Sequence, residues 1–135
     1  MINKQKIFDL LDLSFNRQTK SLPEAPQYNI DFLKIKMFVK LIEGKAEFGN
    51  KISKSIGYEN KELCDNMIFS RAFYYIETLK TENIILIAEL NNIKNRKEFI
   101  YTLDQAIKYF EKYEEYEKCA FLFRILTVLK EKQFT

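Results

Sequence analysis

The chain has 135 residues, of which 47% are apolar and 30% charged, and it contains neither tryptophan nor histidine. Such a mixture supplies both a core and a solvated skin, so the sequence reads as one folded domain and not as a disordered tract. Without histidine it lacks the usual general base near neutral pH, the commonest metal ligand and the centre of the familiar catalytic triads. The net charge of +3 is modest and uneven: residues 1–58 carry ten Lys/Arg against six Asp/Glu, and residues 59–135 carry twelve against thirteen.

Three glycines and two prolines leave few sites for tight turns, which leans the class towards helices. The first predicted helix spans about residues 3–15, with Ile7, Leu10, Leu11 and Phe15 on one face and Phe8 and Leu13 widening the stripe. Residues 16–29, punctuated by Pro23 and Pro26, read as an irregular connector, because neither proline suits a helix interior. A second helix is expected over 31–43, capped by Asn29 or Asp31. Its two apolar rows, Leu33–Met37–Leu41 and Ile35–Phe38–Ile42, mark it as central. Gly44 is the natural stop.

A short helix over 45–56 follows, ended by Gly57, and then a longer one over about 61–80. The buried side of the longer helix reads as Leu63, Cys64, Met67, Ile68, Ala72, Tyr75, Ile76 and Leu79. The apolar run 84–88 fits a strand as the runner-up, but Leu90 and Ile93 continue it at helical steps and favour a buried helix. Residues 97–130 form two amphipathic helices joined by a charged turn, an antiparallel hairpin. The expectation is an all-α fold, a single compact domain (1–135) of six or seven helices.

Cys64 and Cys119 lack the spacing of a metal or redox motif and read as free thiols in a reducing compartment. No basic start followed by a long apolar run suggests a secretory signal, and the run 84–88 is far short of the ~20 residues that span a bilayer. The expected location is therefore cytoplasmic, with no membrane partner. Lysine outnumbers arginine eighteen to four, and Ile, Asn, Phe and Tyr are abundant, a bias that points to an AT-rich bacterial or phage genome.

A helical hairpin is a packing and docking element and carries no reaction chemistry of its own. Residues 99–130 resemble a single degenerate tetratricopeptide-type helix pair, with Leu103, Ala106, Ile107 and Phe110 in its first helix and Cys119, Phe123 and Leu126 in its second. The stretch from Tyr116 to Leu122, followed by Ile125 and Leu129, is also similar to the UVR motif of nucleotide-excision-repair proteins. Both resemblances imply protein–protein docking, and neither implies a catalytic residue. Tyr109, Tyr113 and Tyr116 follow an i, i+4, i+7 row across the turn. With Phe123 they are the expected partner-binding residues, for another protein or a second copy of the chain. The bland reading of the same residues is an ordinary core-forming hairpin with tyrosine hydroxyls reaching water.

The alternative is a small nucleic-acid-binding regulator. Residues 46–67 are similar to a helix-turn-helix, with Gly57 at the turn and Lys45, Lys51 and Lys54 as phosphate contacts. Glu59, Glu62 and Asp65 at the head of the second helix argue against groove docking, and no arginine there is placed to read guanine. The acidic cluster Glu111, Glu114, Glu115 and Glu117, interleaved with lysines, reads as a solubilised turn. No catalytic residue, cofactor or metal is expected, since no phosphate-binding loop, dinucleotide fingerprint or nucleophile elbow is present.

Overall fold

The computed structural model describes residues 3–20, 27–90 and 93–132. The protein is all-α: among the described residues there are seven helices and no strand. They are α1 (Lys4–Lys20), α2 (Gln27–Glu43), α3 (Lys45–Ile56), α4 (Lys61–Glu77), α5 (Thr81–Leu90), α6 (Ile93–Lys112) and α7 (Tyr116–Lys132). The run 84–88 is helical, inside α5. The connector expected over 16–29 is shorter than the prolines suggest. Residues 16–20 continue α1 and residues 27–29 already belong to α2, while both prolines lie outside the described residues. Asn29 and Asp31 are accordingly interior to α2 and not its caps. Asp31 instead accepts a 2.8 Å hydrogen bond from Gln27 Nε2.

Contacts group the chain into two compact units, Met1–Ile76 and Glu77–Thr135. In the first, α1, α2 and α3 pack on one another. The two apolar rows of α2 supply Ile35, Met37, Phe38, Leu41 and Ile42 to its core, with Leu33 half-buried. From α1 come Ile7 and Leu11, whereas Leu13, expected to widen the stripe, is 51% exposed. Side-chain bonds tie α4 to α1 and α3, as described below. Besides most of the residues expected from its pattern, α4 buries Phe69 and Phe73, so it is apolar almost all round.

Helix ends follow local chemistry. Asn3 and Asn60 cap α1 and α4, their Oδ1 atoms accepting the N–H groups of Lys6 and Leu63 at 3.2 and 3.0 Å. Gly57 ends α3 in the left-handed region, φ 87°, where its N–H reaches Ser53 O. At Gly44, between α2 and α3, glycine is required by space and not by backbone conformation. Its φ is −93°, but a Cβ there would lie 3.0 Å from Lys40 O and 3.1 Å from the Phe48 ring.

In the second unit α5, α6 and α7 pack mutually, with the α6–α7 hairpin as the main seam. Phe99, Leu103, Ala106 and Phe110 face Leu122, Ile125, Leu126 and Leu129 in a fully buried apolar core. The turn is a Schellman motif: Glu115 N–H reaches Phe110 O and Glu114 N–H reaches Glu111 O, at 2.9 and 3.0 Å. Glu114 takes the left-handed position, φ 60°, that glycine usually fills. Lys118 closes the turn with a 3.0 Å bond to Glu115.

Candidate functional site

Among the described residues, the candidates for a site are a polar clasp on α1 and α4, a cleft between α3 and α4, and the outer face of α7.

The clasp is not among the sites expected from the sequence. Asp12 of α1 is only 7% exposed. Arg71 of α4 grips it with two parallel hydrogen bonds, Nε to Oδ1 at 3.0 Å and Nη2 to Oδ2. Tyr75, one turn further along α4, donates its hydroxyl to Asp12 Oδ1 at 2.7 Å. Aromatic rings enclose the group: the Arg71 guanidinium lies 3.8 Å from the Tyr74 ring and 4.7 Å from the Phe8 ring, and Phe15 meets Tyr75 edge-on at 5.0 Å. One signal did exist. Asp12 sits between Phe8 and Phe15 at i, i+4, i+7, and a carboxylate on an apolar row requires a partner.

Burial, reinforced by the hydrogen bond to Asp12 and its charge, pushes the Tyr75 phenol far above its ordinary range, with Arg71 opposing. Burial works against the Arg71 charge, but Asp12 outweighs it and the guanidinium rises as well. Every group is therefore satisfied, and the clasp is a structural tie between two helices. Its alkaline behaviour is testable. Unfolded Tyr75 titrates near pH 10 while folded Tyr75 stays neutral, so its contribution is intact below about pH 10 and declines above it. Unfolding free energies measured by urea titration across that range should fall more steeply for the native protein than for Tyr75→Phe. Equal slopes would show that the phenol ionises freely in the fold.

The cleft between α3 and the head of α4 has a volume of about 480 Å³. Its walls include Lys45, Gly49, Ser53, Asn60, Cys64 and Asp65. The Cys64 thiol donates to Gly49 O at 3.5 Å, and Asp65 accepts from Lys61 at 2.7 Å. Lys51 and Lys54 share a face of α3, about 60° apart, while Lys45 is turned away from both. At about 100° per residue, Lys54 lies about 180° round α3 from Lys45. Lys45 lines the cleft with its ammonium 5.7 Å from the Phe69 ring. Lys51 stands over Phe48 at 5.5 Å and pairs with Glu47 at 3.9 Å, and Lys54 lines an adjoining shallow groove beside Tyr58 that shares Asn50, Ser53 and Glu59 with the cleft. Among the described residues no three His, Cys, Asp or Glu side chains are placed to hold a metal ion, and no helix is long and apolar enough to cross a membrane.

Both thiols are free, and Cys119 donates to Ile107 O at 3.6 Å. Burial, with Glu111 and Glu115 adding repulsion, pushes the Cys119 thiol up and keeps it protonated.

The hairpin divides its four expected partner-binding residues into two pairs. Tyr109 is half-buried and packs on Tyr113 with centroids 4.9 Å apart. Tyr116 and Phe123 stand on one side of α7, exposed by 63% and 61%. The tetratricopeptide-type likeness assigns Phe123 to the core, yet Leu122, Ile125, Leu126 and Leu129 form the buried seam and leave Phe123 in solvent. Between the two rings lies the exposed Ala120. At helical periodicity Tyr116, Ala120 and Phe123 share an arc of about 60°. No protein-family model matches the chain, nor does any curated protein or solved structure.

Proposed function

We propose that this is a non-catalytic protein–protein interaction or assembly protein, acting through helix-mediated contacts, with the outer face of α7 as its docking surface. The observation that carries the reading is the pair of exposed rings, Tyr116 and Phe123, two turns apart on the side of α7 opposite its buried seam. Leaving two large rings in water forgoes the gain of burial, and aromatic residues are enriched where proteins meet. The likeness of 99–130 to docking hairpins supports the same reading. Composition supports a bacterial or phage accessory factor working in the cytoplasm. The nucleic-acid alternative has less support, because only Lys51 and Lys54 share a face of α3, Lys51 already pairs with Glu47, and Glu59, Glu62 and Asp65 stand at the head of α4.

A photo-crosslinking amino acid at Phe123, irradiated in cells of the source organism, should yield covalent adducts to protein. The same probe at exposed Lys108 of α6 should not. Equal labelling at both positions, or none at either, defeats the reading.

A further inference from the structure

We infer that the outer face of α7 docks the same face of a second copy of this chain, antiparallel, about a two-fold axis passing beside Ala120. The inference rests on the reading of that face as a protein interface and names its occupant.

The face pairs with its own copy in residue type and in charge. Viewed down α7, Ala120 is central. Tyr116 and Phe123 lie about 40° and 60° to one side of it, and Arg124 and Glu117 about 40° and 60° to the other. One flank is thus aromatic and the other charged. Glu117 and Arg124 are exposed and, among the described residues, have no ion-pair partner.

An antiparallel two-fold brings each flank onto its own copy with the sequence reversed. Tyr116 lies four residues before Ala120 and Phe123 three after it. Glu117 lies three before and Arg124 four after. Reversal therefore sets Tyr116 against Phe123 and Glu117 against Arg124, each within one residue, about 1.5 Å, of the same height. Both contacts occur twice, as an isologous interface requires. The small Ala120 side chains meet at the axis, where they let the helices approach to about 8 Å. A parallel pair matches these groups less well. It lays the charged flank on the aromatic one and leaves the Glu117 carboxylate facing a ring instead of a guanidinium.

The test is light scattering on the whole untagged chain across a concentration series up to about 1 mM. The native protein should approach twice the 16.2 kDa chain mass. Glu117→Arg and Arg124→Glu should each weaken association by at least about tenfold through like-charge contacts. Mixed one to one, the two variants should recover it, because one chain is then wholly basic on that flank and the other wholly acidic. Helical circular dichroism checks that both variants fold. A native protein monomeric at every concentration overturns the inference, as does a mixture that fails to recover.

The crosslinking probe separates this failure from that of the broader reading. An adduct of two chains supports the dimer. A monomer whose Phe123 probe labels a different protein overturns the dimer and leaves the docking face standing. A monomer with no protein adduct overturns both.

Discussion

Asp12→Ala lowers the unfolding free energy by about 3 kcal/mol, as expected when one partner of a mostly buried ion pair is removed. The loss has two parts. Arg71 keeps a guanidinium held between the Phe8 and Tyr74 rings, now without its counter-charge. Tyr75 keeps a buried hydroxyl whose acceptor has gone. The Arg71 side chain is still 17% exposed, which holds the effect at the low end of the range for such pairs. Replacing both charges, as Asp12→Leu with Arg71→Met, should recover most of the loss, since an apolar pair of similar volume removes the stranded charge as well as the bond. Urea unfolding followed by circular dichroism measures both variants. A loss below about 1 kcal/mol for Asp12→Ala would mean that Arg71 escapes to water and that the clasp behaves as a surface pair.

The second large effect lies in the other unit. Phe110 is fully buried, with the Tyr109 ring 5.3 Å away and the Lys118 ammonium 5.0 Å from its centroid. It closes the α6–α7 seam at the turn, and its carbonyl also accepts the Glu115 N–H of the Schellman motif. Phe110→Ala should cost about 3–5 kcal/mol, combining lost transfer energy with the cavity left behind. Phe110→Leu should cost under about 1.5 kcal/mol, because it keeps most of the volume. In a thermal melt the alanine variant should fall by more than about 10 °C. A shift no larger than that of the leucine variant would show that Tyr109 or the Lys118 stem collapses into the space.

Helix positions were largely legible because the signals are local. The spacing of Met37, Phe38, Leu41 and Ile42 and the left-handed stop at Gly57 act within a few residues of themselves. The apolar run 84–88 is helical as expected, but α5 is described only to Leu90, and Ile93, the further step expected to continue it, belongs to α6. The connector was misjudged because a proline limits only its own turn and the residue before it. Residues 16–20 and 27–29 were therefore free to join α1 and α2.

Sites were less legible, since they depend on which direction each helix faces. Phe123 follows helical spacing as well as Leu122 or Leu126 does, so spacing alone leaves open whether it faces the core or a partner. Only the packing of α7 against α5 and α6 turns it outward. Lys45, Lys51 and Lys54 sit close together in the chain, but the pitch of α3 keeps Lys51 and Lys54 on one side and turns Lys45 away from them.

By itself, the sequence determined the all-helical class, the helix ends marked by Gly44 and Gly57 and the closure of histidine-dependent chemistry, since these rest on hydrogen bonding within a few residues and on residue type. Tertiary structure alone decided the Asp12–Arg71–Tyr75 clasp, the grouping into two units and the exposed face of α7. Those features join residues as far as 63 positions apart, or depend on which side of a helix finds a neighbour. Periodicity records that a helix has an apolar side, whereas burial is settled only when another helix arrives to cover it.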